Sequence, residues 1–101
     1  MPASNSPTLA GGKVQALYPA THQSVAYTGT AGTIANAISG VVVRVLCTTN
    51  AFVKIGTSPT ATTADMLVMA NTAEYFRARE GDKVSAVQSA SGGTLHVTEM
   101  D

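Results

Sequence analysis

Short alternating segments separated by turn residues constrain the fold of this chain more than any other feature. The strongest is residues 41–48, VVVRVLCT, which is dominated by β-branched residues and carries no helix cap. Such side chains favour strands because they pack well on a pleated surface. Alternation predicts a central strand, buried on one face and mostly buried on the other. The two faces are Val41, Val43, Val45 and Cys47, and Val42, Arg44, Leu46 and Thr48.

Similar runs recur about every 10 residues, which is the spacing typical of all-β domains. They are residues 14–18, ended by Pro19, and residues 23–28, 51–56, 65–70, 74–79, 83–88 and 94–99. Residues 33–38 fit either a strand or one helical turn, and residues 41–48 and 51–56 are predicted to form a hairpin through Thr49-Asn50. Eight or nine such segments predict an all-β fold, a small antiparallel β-sandwich or jelly roll, with a small barrel as the alternative.

The two ends of the chain differ in character. Residues 1–12 contain Pro2, Pro7 and a Gly11-Gly12 pair among small polar residues, which predicts a flexible N-terminal arm. This arm is expected either to be disordered or to order against a neighbouring subunit. Residues 13–101 are predicted to form a single β-sandwich domain.

Turn and loop signals lie between the later segments. Glu80-Gly81-Asp82 predicts a tight turn in which Gly81 adopts a positive φ. Residues 57–64 form a Thr-rich polar run around Pro59, which predicts either an exposed contact loop or a plain surface connection.

Low charge limits the functions open to this chain. Six Lys and Arg balance six Asp and Glu, so the net charge is zero in 101 residues. Binding to nucleic acid or to an anionic membrane surface requires a basic excess, so neither partner is expected. No apolar run reaches the ~20 residues of a membrane span, and no signal peptide is recognised, which predicts synthesis in a cytoplasm without export by that route. Sparse charge suits a surface that is covered in an assembly.

Residues that carry chemistry are few and isolated. Cys47 stands alone, so neither an intrachain disulfide nor a Cys-His metal set is expected. His22, in an expected loop, and His96, at an outward strand position, do not have metal-ligand spacing. Glu80 and Asp82 are interpreted as turn residues. The sequence therefore predicts no enzyme, no cofactor and no metal.

Arginines provide the clearest candidates for contact. Arg77 and Arg79 share one strand face with Tyr75, and they are expected to pair with nearby acids or with a partner subunit. Arg44 lies inside an apolar strand, where unpaired burial is unfavourable. It is therefore expected to meet a carboxylate or to emerge at an interface.

Residues 41–100 resemble small virion proteins of tailed bacteriophages, most closely head decoration (cement) proteins. The segments that carry the resemblance are Val43-Arg44-Val45, FVKIG at 52–56, PTAT at 59–62, ANTAEYF at 70–76, GDKV at 81–84 and GTLHVTEM at 93–100. The resemblance implies a small β-sandwich in the virion that binds the outside of the phage head. There it would stabilise the shell against internal pressure.

In this interpretation the partner is the major capsid protein, and the chain acts as a homo-oligomer, a dimer or trimer, that bridges capsid subunits. The interface is predicted to include Pro2, Asn5, Pro7, Leu9, Pro59, Thr60, Thr62, Arg77 and Arg79. An alternative is a tail, neck or fibre module that binds a receptor or glycan. For sugar stacking the only sensible candidates are Tyr18, Tyr27 and Tyr75.

Overall fold

Two four-stranded antiparallel sheets make up a computed structural model that describes residues 18–39 and 41–100. The strands are β1 (Pro19–Tyr27), β2 (Gly32–Thr33), β3 (Val41–Cys47), β4 (Ala51–Gly56), β5 (Met66–Val68), β6 (Glu74–Ala78), β7 (Lys83–Gln88) and β8 (Gly93–Met100). The all-β prediction is confirmed, and no helix long and apolar enough to cross a membrane is present in the described residues.

The strand order identifies the topology. The first sheet runs β1-β8-β3-β6 and the second sheet runs β2-β7-β4-β5. Within the sheets β4 pairs with β5, β3 with β6, β2 with β7 and β1 with β8, all antiparallel. The eight strands thus form one long antiparallel hairpin that reverses direction at the β4–β5 connection. This hairpin wraps around to form the two layers. This order is that of an eight-stranded jelly roll.

Small apolar side chains from both sheets fill the space between the layers. Alternation along β3 and β4 turns Val43, Val45, Ala51 and Val53 inward, and all four are buried. The rest of the core is Tyr27, Ile34, Ile38, Cys47, Val68, Ala78, Val84, Ala86, Leu95 and Val97. On β3 the predicted buried face is confirmed at Val43, Val45 and Cys47. The other face, predicted to be mostly buried, is half-buried at Val42, Arg44 and Leu46 and exposed at Thr48.

The predicted hairpin between β3 and β4 is wrong, because the two strands lie in different sheets. Thr49-Asn50 lacks the glycine that favours a two-residue hairpin turn. The connection bonds instead to other parts of the chain: the Thr48 amide donates to the Thr94 carbonyl at 3.1 Å, and the Asn50 carbonyl accepts from Ser89 at 3.0 Å. Because the chain crosses from one sheet to the other here, β3 and β4 both bury apolar side chains in the same core.

The first strand also differs from the prediction. Pro19 begins β1 rather than ending a strand, and His22 lies within β1 rather than in a loop. A proline at the first residue of an edge strand removes no ladder hydrogen bond. The predicted strand at 14–18 lies almost wholly outside the described residues, as do Pro2, Asn5, Pro7 and Leu9. Of residues 33–38, only Thr33 belongs to a strand, β2.

The predicted positive φ at Gly81 is confirmed, with a value of 91°. Asn71, in the turn that follows β5, also has a positive φ, of 56°. Asp82 closes the first of these turns, because its carboxylate accepts the Arg79 amide at 2.9 Å. This contact assigns Asp82 a structural role in the turn, as the sequence indicated.

The Thr-rich loop 57–64 packs on the outer face of the second sheet. Ser85 on β7 is fully buried beneath it, and its hydroxyl oxygen accepts the Ala61 amide at 3.0 Å. The Thr33 hydroxyl lies 3.1 Å from the Ser85 hydroxyl and 3.3 Å from the Pro59 carbonyl. Pro59 and Ala61 are buried, so only part of this loop is presented to solvent.

Replacing Ser85 by alanine should loosen this loop. The Ala61 amide would lose its acceptor while buried, so we expect Ser85→Ala to lower the free energy of unfolding by about 1–3 kcal/mol. Urea unfolding measures the loss, and amide hydrogen exchange at Ala61 locates it. Ser58→Ala, at an exposed position of the same loop, is the control, and equal stability of the two variants would contradict the assignment.

Candidate interaction surface

All three arginines of the chain lie on or directly beside the outer face of the first sheet. Arg44 on β3 is opposite Tyr75 on β6, and Arg77 is opposite Val42. Phe76 and Ala78 occupy the intervening inward positions. Arg79 follows β6 directly, continues the same alternation and is exposed. We call Arg44, Tyr75, Arg77 and Arg79 the arginine face.

No acidic residue occupies an outward position on the described strands of this sheet. Those positions are His22, Ser24 and Ala26 on β1, Val42, Arg44 and Leu46 on β3, Tyr75 and Arg77 on β6, and Thr94, His96, Thr98 and Met100 on β8. Although the net charge of the chain is zero, this face presents cations and no anions.

Three acidic residues, Glu99, Asp65 and Glu74, lie away from the outer face of the first sheet. Glu99 is at an inward position of β8, where its carboxylate accepts the Ser39 hydroxyl at 2.7 Å and the Ser39 amide at 3.2 Å. Asp65 accepts the Thr62 amide at 2.7 Å beside the second sheet. Glu74 occupies an inward position of β6. Glu80 and Asp82 lie in the turn that follows Arg79, so the acidic residues near the arginine face are confined to its Arg79 end.

Apolar and aromatic groups accompany the arginines. Tyr75 is 54% exposed, while Val42, Arg44 and Leu46 are half-buried beside it. Aromatic residues and arginine are the types enriched at protein interfaces, and Tyr and Arg are frequent hot spots. The arrangement suits a protein partner that presents carboxylates.

The residues predicted as contacts fall into separate places. Arg77 and Arg79 are exposed and belong to the arginine face. Thr60 and Thr62 are exposed on the loop over the second sheet, which is the opposite side of the sandwich, whereas Pro59 is buried within the chain. Sequence reasoning singled out Arg44 and Tyr75 but did not place them together, because their alignment depends on the pairing of β3 with β6.

A cavity of about 250 Å³ opens at one end of the sandwich. Its lining residues are Thr48, Thr49, Asn50, Ala70, Ser89, Ala90 and Ser91. Three of their polar groups are already engaged: the Thr48 hydroxyl accepts the Thr94 amide, the Thr49 hydroxyl donates to the Ser91 carbonyl, and the Asn50 side chain accepts the Ala70 amide. These bonds hold the strand connections together around the cavity.

The fold leaves two of the three tyrosines as candidates for sugar stacking. Tyr27 is 2% exposed, and its hydroxyl lies 2.7 Å from the Thr49 hydroxyl and 3.1 Å from the Thr49 amide that donates to it. Tyr18 and Tyr75 remain exposed. Tyr27 is therefore a core residue that fixes the end of β1 against the β3–β4 connection.

Cys47 is fully buried in the core. Burial raises the pKa of its thiol from 9.0 to about 11, although a hydrogen bond with Tyr27 opposes this change. A buried thiol of this kind is protonated at neutral pH and is a poor nucleophile. Its role is packing, in agreement with the sequence interpretation.

The raised pKa of Cys47 predicts a loss of stability in alkali. Between pH 9 and about 11 the unfolded thiol ionises while the folded thiol keeps its proton. The unfolded state then binds fewer protons, so the free energy of unfolding falls as pH rises, by about 2–3 kcal/mol. Urea unfolding from pH 8 to pH 11 should show this decrease beyond that of Cys47→Ala, and parallel curves for the two proteins would contradict it.

Comparison with known proteins gives no relative for this chain: no family model, no curated protein and no solved structure matches it. Within residues 18–39 and 41–100, no group of three or more His, Cys, Asp or Glu side chains is placed to hold a metal ion.

Proposed function

We propose that this chain is a bacteriophage decoration protein that binds the outer surface of the head and stabilises the shell by bridging capsid subunits. The observation that carries the proposal is the arginine face, a cationic and aromatic surface on one side of a neutral protein. On this proposal the chain works as a dimer or trimer in the virion, with the major capsid protein as its partner.

The chemistry of the arginine face supports a protein partner rather than a nucleic acid. Two or three arginines neutralise too few phosphates for strong binding to nucleic acid. Guanidinium groups pair with carboxylates through two parallel hydrogen bonds, and such pairs fix orientation as well as adding affinity. Tyr75 between Arg44 and Arg77 supplies the apolar contact area that these ion pairs lack. A carboxylate-bearing capsid surface would satisfy both requirements.

Fold and sequence segments support the same function by analogy. Jelly rolls serve as viral capsid and lectin domains, although a fold alone does not establish function. The segments from Val43-Arg44-Val45 to GTLHVTEM resemble phage decoration proteins, and they include Arg44, Tyr75 and the strands that hold them. A protein that binds only the assembled shell stabilises it by linkage, because dissociation must first release the bound copies.

A tail, neck or fibre location is the second candidate. The resemblance to small phage virion proteins extends to this group, and the same arginine face would serve there as a contact. The glycan-binding form of this alternative has only Tyr18 and Tyr75 as exposed aromatic candidates. Attachment to the tail or neck predicts few copies per particle, whereas decoration predicts many.

Heads that lack this chain provide the direct test. Particles from a strain in which its gene is deleted should release DNA at a lower temperature than wild-type particles. Adding back the purified full-length protein should restore the heat stability of the particles and the presence of this chain in them. Unchanged composition and heat stability after deletion would overturn the proposal. If the added protein binds only tails, separated from heads by sedimentation, the second candidate replaces the first.

A further inference from the structure

The two histidines of the chain meet on the outer face of the first sheet. His22 on β1 is paired with Thr98 on β8, and His96 on β8 is paired with Ser24, so the histidines are diagonal neighbours on adjacent strands. His96 Nδ1 and His22 Nε2 lie 3.4 Å apart and share a hydrogen bond, with one ring nitrogen donating to the other. The ring centroids are separated by 5.5 Å with an interplanar angle of 22°.

Thr98 orients one of these rings. His22 Nδ1 lies 2.9 Å from the Thr98 hydroxyl oxygen. When Nδ1 donates its proton to that oxygen, Nε2 carries the free lone pair and faces His96. A hydrogen bond of this kind, on the nitrogen that does not bind the metal, is the usual support for a metal-binding histidine.

The spacing of the two facing nitrogens matches that of two ligands on one metal ion. Zinc binds histidine nitrogens at about 2.0–2.1 Å in tetrahedral geometry, which places two such nitrogens about 3.3–3.4 Å apart. His96 Nδ1 and His22 Nε2 therefore hold this spacing without a change in strand pairing. A metal ion would replace the hydrogen bond between the two rings, with His96 carrying its proton on Nε2 so that both facing nitrogens offer lone pairs.

We propose that His22 and His96 form a two-histidine site for a divalent transition-metal ion, with zinc as the best fit. Imidazole nitrogens suit zinc, copper and nickel, whereas magnesium and calcium prefer oxygen ligands. Water completes the coordination, so the site binds its ion reversibly and more weakly than a four-ligand structural site. This inference does not depend on the proposed function.

Charge near the site affects how metal binding responds to salt. Arg44 pairs with the other side of Thr98, two strand spacings of about 4.8 Å each from His22. Its repulsion of a dication at that distance is reduced by physiological salt.

Isothermal titration of the full-length protein with zinc chloride and, separately, magnesium chloride tests the site. We expect one zinc per chain, no magnesium binding, and at least about tenfold weaker zinc binding for His22→Gln and for His96→Gln. Thr98→Val, which removes only the orienting hydroxyl, should weaken binding about tenfold or more. Ser24→Ala, on the same face between the two histidines, is the matched control and should bind like wild type.

A second measurement distinguishes zinc binding at His22 and His96 from adventitious zinc binding elsewhere on the chain. In ¹⁵N NMR spectra of the histidine rings, zinc should shift His22 Nε2 and His96 Nδ1 but not His22 Nδ1. Circular dichroism shows whether each variant retains the fold. Zinc affinity that is unchanged in both histidine variants, or shifts confined to other residues, would overturn the proposal.

Discussion

Gly32→Ala is expected to lower the free energy of unfolding by about 3 kcal/mol or more, because overpacking at a site without room forces the backbone apart. A Cβ atom at Gly32 would overlap the Ala26 carbonyl oxygen and would lie 3.1 Å from the carbonyl carbon of the same residue. The obstacle is backbone on β1, which is held in place by its ladder with β8. Relief therefore requires β2 to move away from β1, where the two sheets meet.

Gly56→Ala is the matched control for this prediction. Gly56 is also a strand glycine, on β4, but a Cβ atom there would meet nothing within 4 Å. Its substitution should change stability by no more than about 1 kcal/mol. Urea unfolding of both variants measures the difference, and a Gly32→Ala protein as stable as Gly56→Ala would contradict the close approach of β1 and β2.

Arg44→Glu combined with Arg77→Glu should reduce binding to phage heads by about a hundredfold or more. Charge reversal on the arginine face turns attraction for carboxylates into repulsion, and like charges across an interface cost several kcal/mol. Both residues lie on the outer face, so the isolated fold should persist. Wild-type binding should also weaken as salt rises, since exposed charges are screened.

The matched control for the arginine variant lies on the opposite side of the sandwich. Lys54→Glu combined with Lys83→Glu makes the same change in net charge on outward positions of the second sheet. Co-sedimentation with heads that lack the chain measures binding of each variant. Equal loss in both double variants would show a general charge effect, and full binding by the arginine variant would remove the arginine face from the interface.

Strand positions were predictable because each strand is specified locally. β4 and β7 have the predicted bounds, β3 and β6 each end one residue earlier than predicted, and β8 is one residue longer at both ends. Their β-branched alternation and flanking turn residues act within a few positions along the chain. The burial of Val43, Val45 and Cys47 follows from the same alternation.

Strand pairing was less predictable because it depends on contacts distant in sequence. The sequence favoured a β3–β4 hairpin, but β3 pairs with β6 and β8. Loop 57–64 is likewise held by a residue distant in sequence, because the Ser85 hydroxyl accepts the Ala61 amide. A single polar side chain under a loop leaves no pattern in the sequence of that loop.

The candidate surfaces were predictable to the same extent. Side-chain orientation within a strand could be inferred from the sequence, whereas the pairing of the strands could not. Alternation placed Tyr75, Arg77 and Arg79 on one strand face, and it placed His96 outward. Only the register of β6 with β3 brings Tyr75 beside Arg44, and only the register of β8 with β1 brings His96 beside His22. Surface clusters built across strands become visible once the pairing is known.

The number of copies of this chain in purified virus particles tests the proposed function most directly. Quantitative mass spectrometry of particles from the source of the gene gives this number relative to the major capsid protein. A decoration protein requires a copy number comparable to that of the major capsid protein. A copy number far below it would place the chain in the tail, neck or fibres, and its absence from particles would contradict a virion function.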